Sequence, residues 1–147
     1  MTRTLRERHA GAMARLRDDE DAWVATADGE GVPCLVPLSF FWDGTEVWLA
    51  TRRTNPTGRN LEASGRVRLS LGHTRDVVLV DGTARVVEFA GLPDGVGDAF
   101  AAKAAWDPRT DGPSYAFYAI RPQWVQAWGT VAEMRDRDLM KEGVWLF

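Results

Sequence analysis

The chain has 147 residues, 45% of them hydrophobic and 27% charged, with a formal net charge of −3. That length supports one domain with a real core, taken as residues 1–147, and not two. The acidic balance argues against a general nucleic-acid binder, whose footprint is basic, and no window approaches the ~20 apolar residues of a membrane span.

Residues 3–17 are predicted to form a helix, with Leu5, His9, Ala12 and Leu16 on one stripe and arginines on the other faces. His9 on that stripe reads as a packing residue rather than a ligand. The period then changes from 3.6 to 2. AWVATA (22–27), VPCLVPLSFFW (32–42) and TEVWLAT (45–51) read as strands, separated by DGEG and by Asp43-Gly44, both turn chemistry. Pro33 and Pro37 lie within the second of these. Proline donates nothing to a ladder, so the pair marks an edge, a bulge or a place where the sheet opens. A short helix over 57–63 is expected next. Strands follow at 66–72 and 76–89, with a bend at Asp81-Gly82, then a helix over 94–105 and a loop over 106–114. YAFYAIRP (115–122) and WVQAWGTV (124–131) alternate again and are expected as a hairpin around Pro122-Gln123. The tail from 133 is charged but ends in Val144-Trp145-Leu146-Phe147, an apolar terminus that must dock on the body or on a partner subunit. Six or seven antiparallel strands with two or three short helices make a mainly β protein, and strands at this spacing close into a small barrel, here about 22–131.

The segment 49–71, LATRRTNPTGRNLEASGRVRLSL, runs against the sign of the chain. It carries Arg52, Arg53, Arg59, Arg66 and Arg68 and one acid, Glu62. A strand ends near Thr51 and a helix opens near Thr57, so unpaired N–H groups backed by arginines form a seat for a phosphate. The opposing reading is a solvated basic turn.

Other chemistry is thin. Cys34 is the single cysteine, which excludes an intrachain disulfide and suits a reducing compartment. With no apolar h-region near the start of the chain, a cytoplasmic location is expected. His9 and His73 are the two histidines, and with Cys34 they lack zinc-site spacing, so no metal is expected. Nucleophile-elbow, Walker and Rossmann glycine motifs are absent. Trp124 and Trp128, four apart, share a strand face; they border a ring site or a subunit groove, or simply pack in the core. Asp76 reads as structural, paired with Arg75 or Arg68.

Taken in order, WVATADGEGVPCLVPLSFFWDGTEVWLAT, TGRNLEASGRVRLSL, DVVLVDGTARVV and, weakly, IRPQWVQAW resemble the split-barrel flavoproteins related to pyridoxamine 5'-phosphate oxidase. The resemblance covers most of residues 20–130. It implies a split β-barrel homodimer with a cofactor, FMN or the deazaflavin coenzyme F420, in each of two subunit grooves. By position it places Val36, Pro37, Leu38 and Ser39 along the isoalloxazine ring, and Thr51, Arg52 and Arg53 near the ribityl or phosphate end. Thr57, Arg59 and Asn60 fall at the phosphate. The phosphate-binding lysine usual in the family falls at Thr57, which is not basic, so Arg59, Arg52 or Arg53 must supply the charge. The carboxy-terminal segment by which true pyridoxamine phosphate oxidases recognise pyridoxal phosphate has no counterpart here. The resemblance therefore implies an oxidoreductase moving a hydride between FMN or F420 and an unassigned small organic substrate. The alternative is a non-catalytic protein on the same fold that binds or stores a flavin, a haem or another phosphorylated ligand.

Overall fold

The computed structural model describes residues 2–146. Helix α1 (Leu5–Asp18) opens on a capping box: Thr4 Oγ1 accepts the Glu7 N–H and the Glu7 carboxylate accepts the Thr4 N–H. Its buried residues are Arg8, Ala12 and Leu16, so an arginine expected on an outer face lies under the helix. Arg8 is tolerated there because Nη1 donates to the Ala127 and Asp136 carbonyls and Nη2 to the Asp136 carboxylate.

Six antiparallel strands close the barrel: β1 (Asp21–Ala27), β2 (Pro33–Trp42), β3 (Val47–Arg52), β4 (Arg66–His73), β5 (Asp76–Val87) and β6 (Tyr115–Trp128). Their order is β3-β2-β1-β4-β5-β6, and β6 returns to β3 through pairs running from Val47 with Ile120 to Arg52 with Tyr115. Two short strands, β7 (Asp138–Lys141) and β8 (Val144–Trp145), extend the sheet beyond β6. Side chains such as Val24, Phe40, Leu49, Leu69, Val80 and Ile120 fill the interior, as a barrel this narrow requires. β3 is apolar on both faces because its outer residues, Trp48 and Ala50, form a second cluster with Val96 and Phe100 of helix α3 (Val96–Ala104).

β2 and β3 pair only over Phe40–Trp42 and Val47–Leu49. Beyond that they part: β2 continues along β1 to Pro33, and β3 along β6 to Arg52. Helix α2 (Pro56–Ser64) fills the mouth of the split, with Leu61 buried in the core. Pro33 and Pro37 sit where β2 has a neighbour on one side, so of the edge, bulge or opening that their missing N–H allowed, the opening is the one found.

The expected hairpin at Pro122-Gln123 does not form. β6 is one strand of 14 residues. Pro122 pairs with Gly82 and Trp124 with Asp81, so Gln123 is an extra residue, a β-bulge that accommodates a proline inside a strand. A Cβ on Gly82 would lie 2.7 Å from the Arg121 carbonyl oxygen, which is why the partner strand carries glycine there. The tail also folds. Residues 131–136 form a 3-10 turn, and Trp145 packs edge-on against His9 with ring centroids 5.1 Å apart. The apolar terminus thus docks partly on the body; Val144 and Leu146 remain exposed, and Phe147 lies outside the described residues.

Candidate functional site

The candidate residues lie along the two sides of the mouth between β2 and β3 and on α2. On β2, Val36 and Leu38 pack partly against the core, Pro37 is exposed, and Ser39 donates its hydroxyl to Asp21 at 2.9 Å. Across the mouth, Thr51 is buried at the end of β3, and its Oγ1 accepts the Asn55 carboxamide at 3.2 Å. Asn55 holds the N-cap position of α2 but caps nothing with its side chain. Pro56 follows at the first helical position, where a missing N–H costs nothing. The N–H groups of Thr57 and Gly58 at the helix start therefore lack a side-chain cap.

Gly58 is required by contact rather than by backbone angle. A Cβ there would come within 2.5 Å of the Arg52 carbonyl oxygen and 3.0 Å of the Tyr118 hydroxyl, so the helix start lies against the end of β3. Thr57 and Asn60, both buried, face the barrel. Thr57 Oγ1 is 3.5 Å from Cys34 Sγ, and Asn60 Nδ2 donates to Thr26 Oγ1 at 3.1 Å. These two contacts bind α2 to β2 and β1, and they give Cys34 a packing role beside the helix.

The five arginines of the basic segment do not converge. Arg68, on β4, is paired with Asp81 on β5, and Arg66 lies exposed on β4. Arg53 grips Glu62 and reaches Glu88 at 3.1 Å. This guanidinium holds the Glu62 carboxyl below the usual carboxylate range. The buried Tyr118 hydroxyl donates to the same carboxylate at 3.0 Å; burial first, and then Glu62, push its pKa up. Arg52 is exposed with its guanidinium over the Tyr115 ring, 5.2 Å from the centroid. Arg59 is exposed on α2, and its side chain makes no hydrogen bond or ion pair among the described residues. Arg53, Thr54, Arg59, Glu62 and Ala63 line an open hollow of about 450 Å³. Among the described residues, Arg59 is thus the arginine of the segment left without a partner on α2, whereas Arg52 is held on Tyr115, its Nε donating to the phenol oxygen at 3.4 Å with Asp111 nearby, a division that residue type alone does not reveal.

Trp124 and Trp128 lie on the outer face of β6 rather than in the core. Trp124 is exposed, donates its indole N–H to Asp138 at 2.7 Å and has Lys141 over its ring. Trp23 and Leu35 are exposed on the outer faces of β1 and β2, 50% and 61% accessible. The lining of a hollow of about 500 Å³ on β1, β4, β5 and β6 includes Ala25, Ala27, Gly82, Arg66, Gln123 and the Arg68–Asp81 pair. Asp76 is structural as expected, but its partners are Arg3 and Arg15, brought close by α1, not Arg75 or Arg68. No cluster of metal-ligating side chains occurs among the described residues, and no helix among them is long and apolar enough to cross a membrane.

A closed six-stranded barrel, parted on one side and stopped by a short helix, is a split β-barrel. The family profile described as pyridoxamine 5'-phosphate oxidase matches residues 11–143, and the chain belongs to that family. Among solved structures it is similar to an F420 reductase, at 20% identity and TM-score 0.62 over 76% of this chain and 93% of that one. It is also similar to General Stress Protein 26 from Bacillus anthracis, at 20% identity and TM-score 0.65 over 84% and 93% of the two chains. A third similarity is to PhzG from Burkholderia lata, solved with tetrahydrophenazine-1-carboxylic acid, at 20% identity and TM-score 0.59 over 87% and 78%. At these identities the likeness is one of fold. Among curated proteins, none matches the chain.

Proposed function

We propose that this chain binds FMN or F420 in the mouth between β2 and β3, as a homodimer, and transfers a hydride between that cofactor and a small organic substrate. The observation that carries the reading is the start of α2. Two main-chain N–H groups without a side-chain cap open a helix that rests on β2 through Thr57 and Cys34 and carries the exposed Arg59, unpartnered among the described residues. Such a seat favours a phosphate, since charge-assisted hydrogen bonds to oxyanions are the strong ones. The residues present fit the group in a modified way: Thr57, turned towards Cys34, holds the helix rather than the anion, and Arg52 and Arg59 replace the missing lysine.

The bound ring would supply the hydride chemistry, so the chain needs to bind, orient and shield it. The exposed edge of β2 from Pro33 to Ser39 offers main-chain groups to a ring, and Pro37 and Leu38 offer apolar contact. Trp23, Leu35 and Trp124 form the outer surface on which a second copy would close the groove. The single half-buried cysteine and the fold suit a cytoplasmic protein without a membrane or nucleic-acid partner.

Absorbance of the purified protein, followed by titration with FMN and F420 under tryptophan fluorescence, tests the reading. Saturable quenching at one equivalent per subunit is expected for one of the two. Binding without turnover by a reductant would assign the chain to a binding or storage role on the same site. No response to either cofactor would overturn the proposal.

A further inference from the structure

The hollow beside α2 is built differently from a simple basic pocket. Arg53 Nη2 lies 2.6 Å from Glu62 Oε1 and Nε 3.3 Å from Oε2, so both arms of the guanidinium fork meet one carboxylate. Nη1 reaches Glu88 at 3.1 Å. The Oε2 atom of Glu62 also accepts the hydroxyl of Tyr118, a fully buried residue, at 3.0 Å. Arg59, across the same hollow, has no such partner among the described residues. A forked grip on two oxygens is also how arginine holds a phosphate monoester. The hollow therefore contains one guanidinium that is free and one already gripping an internal anion.

We propose that Glu62 is a specificity-determining residue of this site. It occupies the fork of Arg53 in place of a phosphate, so a phosphate dianion that engages both Arg53 and Arg59 must displace it. The inference rests on the proposed cofactor reading for its ligand class, the phosphate end of a cofactor. It adds that this chain holds its second cation in reserve. Displacing Glu62 would free Arg53 and the Tyr118 hydroxyl together, so phosphate binding and the anchorage of α2 to β6 are coupled. An arginine–glutamate pair that only anchors the helix would show no such coupling.

The test is calorimetric titration of the full chain with inorganic phosphate at low ionic strength, in wild type, Glu62→Gln and Arg59→Ala. Glutamine keeps the shape and still accepts from Tyr118, but leaves Arg53 matched by Glu88 alone. Glu62→Gln is expected to tighten phosphate binding about tenfold and Arg59→Ala to weaken it. Unchanged or weaker binding in Glu62→Gln overturns the proposal. If that variant does not fold, Glu88→Gln carries the test from a side chain that is 76% exposed. A tightening of about two- to threefold is then expected, because an exposed partner is screened, and no change overturns the proposal. FMN and F420 titrated into the same variants separate the two readings. Cofactor binding that ignores Glu62→Gln defeats the role of Glu62 alone. Phosphate binding that responds to it, with neither cofactor bound, defeats the cofactor reading and leaves Glu62 standing.

Discussion

The carboxamide of Asn55 donates to Thr51 Oγ1 at 3.2 Å, across the turn from β3 to α2, instead of capping the helix it precedes. Asparagine is among the best N-cap residues, so a helix start left without its cap gives up stability of about 1 kcal/mol. It also keeps the N–H groups of Thr57 and Gly58 available. Asn55→Asp would offer the helix a charged cap and would place a negative charge in the same seat. We expect this variant to melt no lower than wild type while binding FMN, F420 or phosphate about tenfold more weakly, measured by thermal melting and titration. Tighter binding would contradict the placement of the anion at the helix start.

Arg52 and Arg59, exposed and not paired to a carboxylate among the described residues, make the complementary prediction. Replacing Arg52 and Arg59 together by alanine should weaken cofactor binding about tenfold or more, with no loss of fold, because both side chains are exposed. Near-native circular dichroism with unchanged affinity would remove these residues from the site.

Two glycines on helices separate contact from propensity. Alanine favours a helix by about 1 kcal/mol over glycine. At Gly11, where a Cβ meets nothing within 4 Å, that preference is unopposed, and Gly11→Ala should raise the melting temperature. At Gly58 the same Cβ meets the Arg52 carbonyl oxygen at 2.5 Å, and main chain cannot step aside. Gly58→Ala should destabilise by about 1–3 kcal/mol and loosen the cofactor seat with it.

Much of this fold was legible in the sequence because the signals were local. The switch from period 3.6 to period 2 after Asp18, the turn chemistry at 28–31 and 43–44, and the paired prolines of β2 each report on their immediate surroundings. The failures were non-local. Pro122 reads as a turn unless one knows that Gly82 lies opposite and lets Gln123 bulge. Arg8 reads as a surface residue unless the Ala127 and Asp136 carbonyls are already in place above it. The basic segment was found, but its charge count was misleading. Asp81 and Glu88 neutralise Arg68 and Arg53 from strands and turns brought close only by folding, and Glu62, the segment's own acid, takes up the rest of Arg53. Tryptophan number likewise said nothing of side: Trp48 is buried under α3, whereas Trp23 and Trp124 face outward.

Those outward residues test the assembly. A single Leu35→Glu substitution, at a side chain 61% exposed in one subunit, should cost the isolated fold little. If the β1–β2 face is the interface between copies, the variant should run at half the wild-type mass in light scattering and lose cofactor affinity in parallel. A wild-type protein that is already monomeric would refute the homodimer.

Arg3 Nε and Nη2 donate to the two oxygens of Glu133, 130 residues away in sequence, and the main-chain N–H groups of Arg3, Gly129 and Thr130 donate to the same carboxylate. Glu133 is fully buried, so without these donors its charge would be untenable. The Arg3 guanidinium first, and then these N–H groups, hold its pKa far below the ordinary 4.5. A carboxyl depressed in the folded state stabilises fully above its unfolded pKa and loses that contribution as pH falls towards the folded one. Wild type should therefore lose stability progressively below about pH 4.5. Glu133→Gln should flatten that part of the profile and, at pH 7, cost about 1–3 kcal/mol, because glutamine loses the charged fork on Arg3 Nε and Nη2 while Asp76 still pairs with Nη1. Urea unfolding between pH 3 and pH 7 would read both effects. A Glu133→Gln protein with the wild-type pH dependence would show that other carboxylates govern acid stability.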